Sequence, residues 1–523
     1  MNNLIQEIQK KIVEKNFTDA ESIAWALYKQ NPKDFLNLKT LGLVLLLQEK
    51  RYGSIDFYQR ALQIKSDDFD VLCNLGHLNL QIEEFGIASD YALRAINNPS
   101  SNFLPYSQMA EILMKKRDYL GALKYCEIVL KMATMNSLKS NIGFVHIYID
   151  VLIALGKKEQ AIKFINFFQE KSFNDEIFQH HASMGPETIE KKQIEKVEKL
   201  IKEKEHDNHI IRAKFLCTYL FGLAKYYGYK KDKIKSEKFY TEANNEILKI
   251  QRYFPLKHQS QISKIKKLFR DGFSKSHKIN PDKGNGLIFI VGMPRSGTTL
   301  LESIVGSNDN VISGGELISM HQLSGYYYID EQEDAMLERH GNKNIGDIYL
   351  NRISFIKGDK KFFIDKLPGN YHNIGFIKEF LPAAKIIYIK RNIWDIAISI
   401  YKQFYVNNIP FAASFFNIAV NIANHEELIR FWGSEMDYDF MTVEYEELVS
   451  DTGNVAHNIF KYCGIDGNYS EDTRKKFFSR TASKSQISKN INTSSITKRE
   501  FEGYKDGFEK DYENQRKYWE IDH

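Results

Sequence analysis

The chain has 523 residues, of which 43% are hydrophobic and 13% are aromatic. Because this length exceeds what one hydrophobic core ordinarily serves, two or three globular domains are expected. The formal net charge is only +5, from 72 basic and 67 acidic residues. Such a slight excess does not indicate a nucleic-acid-binding protein or a protein of the membrane surface.

The cysteines and the apolar segments exclude further classes of protein. The four cysteines lie far apart, without a C-x-x-C pair or a cluster with histidine: Cys73, Cys126, Cys217 and Cys463. We therefore predict buried thiols in a reducing compartment and no zinc site. No window approaches the roughly 18 consecutive apolar residues of a transmembrane helix, and the first residues lack the apolar core of a signal peptide. These patterns predict no transmembrane segment and a cytoplasmic location.

The first half of the chain repeats itself with a period of 34 residues. Small or compact residues recur at this interval in three series: Gly42, Gly76 and Ala110; Ser54, Ala88 and Ala122; Ala61, Ala95 and Val129. Small residues at a fixed period let paired helices approach closely, and the pattern resembles tetratricopeptide repeats. We predict an all-α solenoid over residues 1–273. Its concave face would suit a protein or peptide ligand, and a scaffolding or dimerising role, including a homodimer, is the alternative.

The pattern changes after a polar segment at residues 274–285, which we predict to be a linker because it is rich in helix breakers. Over residues 286–523, short apolar segments alternate with helical sequence. The predicted strands are Leu287–Val291, Lys361–Ile364, Ile386–Ile389 and Phe440–Val443. This alternation is typical of a parallel α/β sheet, in which ligands bind at the carboxyl ends of the strands.

The first predicted strand leads into a glycine-bearing loop, residues 292–299 (GMPRSGTT), and then into a predicted helix. Strand, glycine loop and helix together direct backbone N–H groups towards a phosphate. The spacing matches a Walker A loop, but Thr298 stands where the lysine is expected and the cation of the loop is Arg295. This exchange favours an enzyme that holds a nucleotide phosphate without Mg²⁺. A P-loop kinase or NTPase and a non-catalytic repeat scaffold that binds nucleotide remain the alternatives.

Four segments, in order, resemble sulfotransferases that use 3′-phosphoadenosine-5′-phosphosulfate (PAPS). They are residues 291–311, 365–401, 443–449 and 480–498. The resemblance covers about residues 286–507 and is strongest to tyrosylprotein sulfotransferases and bacterial tetratricopeptide-repeat sulfotransferases. It implies a P-loop-like parallel-sheet domain that transfers a sulfuryl group from PAPS to an acceptor hydroxyl, releases PAP and requires no metal.

The resemblance also assigns residues to the donor. The loop residues implied to hold the 5′-phosphosulfate are Arg295, Ser296, Gly297, Thr298, Thr299 and Leu300. Arg391 and Ser399 match the pair that holds the 3′-phosphate, and a planar guanidinium suits two-point contact with phosphate. Tyr445 corresponds to a tyrosine beside the nucleotide, and Lys498 to a lysine that reaches the 3′-phosphate from the closing loop.

Catalytic roles follow from the same resemblance. Glu316 matches the general base, a carboxylate that accepts the proton of the acceptor hydroxyl. Lys366 and Arg295 would stabilise the charge that develops as PAP leaves, and Ser483 would contact the sulfuryl or bridging oxygen. The implied acceptor is a tyrosine of a protein or peptide, held by the repeats. A carbohydrate or lipid-linked sugar hydroxyl is the second candidate.

Overall fold

The computed structural model describes residues 2–98, 102–203, 208–273, 279–325, 344–405, 409–475, 477, 491 and 500–521. The chain forms two compact units. The first comprises Met1–Val151 with Gly325–Gly358, and the second Leu152–Ser324 with Asp359–His523. The division of the chain into residues 1–273, 274–285 and 286–523 stays a prediction. Residues 279–285, the part of the predicted linker that the structure describes, contain no helix or strand.

The first unit is built from successive short helices. In chain order they are α1 (Asn2–Val13), α2 (Phe17–Gln30), α3 (Phe35–Leu47), α4 (Arg51–Ile64), α5 (Phe69–Gln81), α6 (Phe85–Ile96), α7 (Leu104–Lys115), α8 (Tyr119–Met132), α9 (Met135–Ser140) and α10 (Ile142–Ala154). Alternate turns contain a left-handed residue at the same 34-residue interval: Lys15, Glu49, Glu83 and Arg117. The predicted helical repeat architecture is confirmed.

The small residues of the repeat series lie where paired helices touch. A methyl group added at Gly42 would come within 2.9 Å of the Tyr58 ring, and one at Gly76 within 2.7 Å of Gln108. The Ser54 hydroxyl donates to the carbonyl of Gly42 at 2.7 Å, which joins α3 to α4. These positions therefore serve helix packing, as the period predicts.

A helix from the second half of the sequence also belongs to the first unit. It is α19 (Ile345–Lys357), which packs against α6. The side chain of Arg352 is fully buried; its Nε lies 3.2 Å from the Glu84 carboxylate, and its guanidinium donates to the Tyr52 hydroxyl at 3.2 Å. Phe355 packs beside Gly86. Residues distant in sequence thus complete the core of the repeat unit.

The second unit contains a parallel sheet flanked by helices. Its described strands are β1 (Leu287–Gly292), β2 (Val311–Gly315), β3 (Phe362–Lys366), β4 (Lys385–Lys390) and β5 (Met441–Glu444), in the order β2-β3-β1-β4-β5. All pairings are parallel. The four predicted strands and the predicted sheet type are confirmed. β2 was not predicted, because three of its five residues are serine and glycine.

The helices of the second unit are α11 (Lys158–Lys171), α12 (Asp175–Met184), α13 (Lys191–Glu203), α14 (His209–Tyr229), α15 (Lys233–Ile250), α16 (Pro255–Arg270), α17 (Thr298–Val305), α18 (Ser319–Gly325), α20 (Ile374–Phe380), α21 (Ile393–Tyr401), α22 (Phe415–Arg430), α23 (Tyr445–Ser450), α24 (Thr452–Cys463), α25 (Glu471–Lys475) and α26 (Lys505–Ile521). A short 3₁₀ helix, Pro368–Asn373, follows β3. Residues of α12 to α15 share one hydrophobic core with α21, α22 and α26.

Two further sequence predictions concern the cysteines and transmembrane segments. All four cysteines are buried and unbridged, as predicted, and burial raises the pKa of each thiol to about 12. Within the described ranges, no helix has the length and apolarity needed to cross a membrane.

Candidate active site

The loop between β1 and α17 has the backbone geometry of an anion cradle. Every residue of β1 is buried, and Arg295 adopts a left-handed conformation with φ +70°. The first backbone hydrogen bond of α17 runs from the Leu301 amide to the Gly297 carbonyl at 3.1 Å. The amides before Leu301 therefore come ahead of the hydrogen bonds that the helix makes within itself. The amide of Ser296 instead donates to the Met293 carbonyl at 3.2 Å and shapes the loop.

Gly297 is required by its conformation and by its neighbour. Its φ is +113°, which side-chain-bearing residues rarely adopt. A methyl group there would also collide with the ring of Tyr445, at the start of α23. The structure thus brings two sequence-predicted residues into contact across the sheet.

Arg391 lies at the end of β4 and joins the same cluster. Its guanidinium stacks over the Tyr445 ring, 4.2 Å from the centroid, and donates to the Arg295 carbonyl at 3.1 Å. Nε of Arg295 in turn donates to the Ser399 hydroxyl, on α21, at 3.0 Å. Burial lowers the pKa of Arg391 from its ordinary value, and the nearby positive charge of Arg295 acts in the same direction. Two guanidinium groups held this close form a site suited to an anion.

The fit of an anionic donor can be tested on Ser296. Its side chain is fully buried, and its hydroxyl has no hydrogen-bond partner among the residues that the structure describes. Buried hydroxyls are ordinarily satisfied. This hydroxyl lies in the loop beside Arg295. A bound phosphate or sulfate oxygen would therefore fit as its hydrogen-bond partner.

Glu316 and Lys366 meet at the carboxyl ends of β2 and β3. Lys366 Nζ lies 2.5 Å from Glu316 Oε1 and 3.6 Å from Glu302 Oε2. The side chains of Lys366 and Glu302 are fully buried, whereas that of Glu316 is 43% exposed. Glu316 and Lys366 therefore lie together, and the Glu316 carboxylate remains partly exposed.

Tyr405 connects this pair electrostatically to the phosphate loop. Burial raises the pKa of Tyr405 to about 12; the charge of Arg295 acts against this rise and that of Glu316 adds to it. Tyr405 is therefore close enough to Arg295 and to Glu316 to be affected by the charge of each.

A buried polar network supports the strand that carries Lys366. Asn370 donates to the Asp365 carboxylate at 3.4 Å, Asn373 donates to Asn370 at 3.0 Å, and the Ser324 hydroxyl donates to Asn373 at 2.6 Å. All four side chains are buried. The network joins the end of β3 to α18, the helix that follows Glu316.

The remaining sequence-predicted residues are less informative. Thr298 and Thr299 are buried at the start of α17. The side chain of Leu300 packs against the apolar core of this unit. Ser483 and Lys498 lie outside the described residues.

Sequence reasoning missed Glu302 and Tyr405. Glu302 sits in α17, whose other residues are apolar or small, so a lone acid on that helix resembled a solvent-facing position. Only a charge on the buried face of an amphipathic helix could have signalled it. Tyr405 follows α21 without any motif. Within the described ranges, no group of three or more His, Cys, Asp or Glu residues is arranged to hold a metal ion.

Comparison with protein families decides the class of this domain. Residues 288–471 match the family model described as "Sulfotransferase family". This segment is a sulfotransferase-family domain. The match begins at the second residue of β1, contains the phosphate loop, Glu316, Lys366, Arg391 and Tyr445, and ends at the first residue of α25.

One relative and two solved structures are similar to this chain at 13% to 24% sequence identity. An uncharacterized protein of Aquifex aeolicus (strain VF5) is 24% identical over 416 residues, which cover 76% of this chain and 53% of that protein. The chain thus spans about half the length of this curated relative. The sulfotransferase domain of the Synechococcus PCC 7002 olefin synthase is 17% identical, with a TM-score of 0.31, and the match covers 47% of this chain and 96% of that one. A tetratricopeptide repeat protein of Parabacteroides merdae ATCC 43184 is 13% identical, with a TM-score of 0.35, 47% of this chain and 92% of that chain being covered.

Proposed function

We propose that this protein transfers a sulfuryl group from PAPS to a hydroxyl group, with a protein or peptide tyrosine as acceptor. The observation that carries the proposal is the arrangement of Glu316. Its carboxylate is exposed while it contacts the buried ammonium of Lys366, inside a sulfotransferase-family domain. The transferred group is supplied by PAPS, and each remaining task falls to a residue of this chain.

The residues divide the chemistry between them. Glu316 accepts the proton of the acceptor hydroxyl, since an exposed carboxylate within hydrogen-bond reach serves as a general base. Lys366 and Arg295 supply positive charge to the oxygens that become more negative during transfer. The loop from Ser296 to Thr299 holds the phosphosulfate through amides and hydroxyls.

Selectivity for PAPS over other adenine nucleotides is assigned to the second basic position. Arg391 directly follows β4 and Ser399 lies on α21. Both are separate from the phosphate loop in sequence but are joined to it through Arg295. A 3′-phosphate distinguishes PAPS from ATP and ADP, and a guanidinium fixed over Tyr445 presents a planar donor to it. The buried, unbridged thiols support a reducing, cytoplasmic location for the protein.

The tyrosine acceptor is favoured over a sugar hydroxyl by the base and by the repeats. A phenol is more acidic than an alcohol, so a carboxylate is an effective base for it. The helical repeat unit provides an extended surface of the kind that holds peptides. A carbohydrate or lipid-linked sugar is the second candidate acceptor.

Calorimetric titration of the full chain with PAP, and with ADP and ATP in the absence of metal, tests the donor site. Binding of PAP at micromolar concentration with at least tenfold weaker binding of ADP supports the proposal. Equal binding of PAP and ADP, or Mg²⁺-dependent binding of ATP, would contradict it and favour the kinase alternative. Release of PAP from PAPS with a tyrosine peptide, compared with the same peptide carrying phenylalanine and with an oligosaccharide, then identifies the acceptor class.

A further inference from the structure

We propose that Glu302 is a positioning residue of the transfer reaction, whose buried carboxylate orients the Lys366 ammonium and the turn that carries Glu316. The inference rests on the proposed function, because the reaction assigns the roles of Lys366 and Glu316. It assigns a role to a residue that the sequence did not single out.

The geometry places Glu302 at the centre of a closed ring of contacts. Lys366 Nζ lies 3.6 Å from Glu302 Oε2, and the Ser313 hydroxyl donates to Glu302 Oε1 at 2.6 Å. The same hydroxyl accepts the amide of Gly315 at 2.9 Å. Gly315 immediately precedes Glu316, which returns to Lys366 at 2.5 Å. One carboxylate therefore orients the lysine and the backbone of the base together.

Burial separates the tasks of the two carboxylates. The Glu302 side chain is fully buried and the Glu316 side chain is 43% exposed, so Glu316 is the carboxylate that presents itself to an acceptor. A fully buried ammonium requires an ionic partner that stays in place. Glu316 cannot be that permanent partner, because it must leave Lys366 to meet the acceptor hydroxyl. Glu302 remains as the counter-charge.

The consequence appears during transfer. The acceptor oxygen forms a bond to sulfur as its proton passes to Glu316, and the bond from sulfur to the bridging phosphate oxygen breaks, with its electron pair staying on PAP. Glu316 becomes neutral at this step and later returns the proton to solvent. Lys366 stays cationic beside Glu302 while negative charge grows on the leaving group. Removal of Glu302 would leave the Lys366 ammonium without its fixed counter-charge while negative charge grows on the leaving group.

The surroundings of Lys366 offer few other charges. Among described residues, the charged groups that face it are Glu302 on α17 and Glu316 after β2. β1 presents Ile290 in register with it, and its neighbour Asp365 turns to Asn370 instead. Glu302 is therefore the counter-charge of Lys366 that an incoming acceptor does not displace.

The decisive variant is Glu302→Gln, which keeps the size and the acceptor for Ser313 but removes the charge. We expect kcat for PAP release from PAPS, with a tyrosine peptide, to fall about 10- to 100-fold, the range seen when residues that orient metal ligands are lost. PAP affinity by calorimetry should stay within about threefold of wild type, because the residue lies outside the phosphate loop. The variant should therefore lose kcat while it keeps donor affinity.

Two further variants separate positioning from simple support of the fold. Glu302→Asp keeps the charge and should restore much of the kcat that Glu302→Gln loses. Ser303→Ala alters the adjacent buried residue of α17, whose hydroxyl donates to the Leu300 carbonyl at 2.7 Å, and should leave kcat near that of wild type.

Three results would overturn the inference. They are wild-type kcat in Glu302→Gln, a loss of PAP affinity as large as the loss of kcat, and the same kcat in the Asp and Gln variants. If Glu302→Gln does not fold, the Glu302→Asp variant decides, because loss of transfer with the charge retained contradicts the assigned role. Wild-type protein that binds no PAP would instead remove the proposed function itself.

Discussion

The ammonium of Lys366 lies 2.5 Å from a carboxylate oxygen of Glu316, so the two residues assigned to proton transfer and charge stabilisation form an ion pair with each other. The pair connects the ends of β2 and β3. Because the Glu316 side chain is 43% exposed, its contact with Lys366 competes with an incoming acceptor. Binding of an acceptor would therefore exchange one partner of Glu316 for another.

Glu316→Gln should abolish transfer while preserving donor binding. The amide cannot accept the acceptor proton, so kcat should fall by about 10²- to 10⁴-fold, the range of general base catalysis. The PAP dissociation constant should change by less than about threefold, because Glu316 lies outside the phosphate loop. PAP release assays and calorimetry measure the two effects separately. Turnover within tenfold of wild type would remove Glu316 from the base role.

Arg391→Ala should weaken PAP binding far more than ADP binding. The guanidinium is assigned to the 3′-phosphate, and charged hydrogen bonds contribute about 1.5–3 kcal/mol each, so PAP affinity should fall at least tenfold. The matched control is Lys390→Ala, because this neighbouring lysine is 52% exposed and pairs with Glu444 at 3.7 Å. An equal loss of ADP and PAP affinity in Arg391→Ala would show that the residue supports the loop and does not select the 3′-phosphate.

Gly297→Ala should destroy donor binding through backbone geometry. The added methyl group collides with Tyr445 and the residue must keep φ at +113°. Gly464→Ala is the control, because Gly464 also has a positive φ, +68°, but no atom lies within 4 Å of an added methyl group. We expect a cost of about 1 kcal/mol in the control from backbone strain alone. Loss of PAP binding should occur only in the loop variant, as measured by calorimetry and thermal unfolding.

The phosphate loop and most of the sheet could be predicted because their signals are local. Apolar strands, glycines and the Arg295 loop are contiguous in sequence, and the structure places Arg295, Arg391, Ser399 and Tyr445 in one cluster. The arrangement of the repeats was also predictable, since a fixed period reports the packing of neighbouring helices.

What could not be predicted depends on contacts between distant residues. The role of Glu302 arises from Lys366 and Ser313, which lie on two strands, and nothing near Glu302 in sequence reports them.

The assignment of α19 to the repeat unit depends on the contact between Arg352 and Glu84. β2 was missed because Ser313, Gly314 and Gly315 have weak strand propensity, whereas its pairing with β3 supplies the missing stability.

Arg352→Met should destabilise the repeat unit strongly. Arg352 is fully buried and Glu84 is 13% exposed, so removal of the cation leaves a poorly hydrated carboxylate, at a cost of about 3–5 kcal/mol. Hydrogen exchange of α6 and α19 peptides measures the loss within this unit. Arg94→Met is the matched control, because its pair with Asp90 is exposed, at 41% and 66%, and should contribute less than about 1 kcal/mol. Equal protection in the two variants would contradict the structural role of Arg352.

Acidification should destabilise the second unit through a buried histidine cluster. Nε2 of His258 lies 3.4 Å from Nε2 of His372, and Nδ1 of His258 lies 2.8 Å from the Tyr253 hydroxyl. Burial lowers the pKa of His258 to about 4 and that of His425 to about 3, and it lowers the pKa of His372 well below its usual range.

The sign of this effect follows from proton linkage. The unfolded chain takes up protons on these histidines near pH 6.5, whereas the folded chain does not until pH about 4, so the unfolded state binds more protons between these values. The stability that the neutral histidines contribute is complete above pH 6.5 and is lost as pH falls towards 4. Tm measured between pH 7.5 and 5 should therefore decrease, and it should decrease less in His258→Asn than in wild type. His457→Asn, which alters an exposed histidine, should retain the wild-type slope; an unchanged slope in His258→Asn as well would show that the cluster does not govern acid stability.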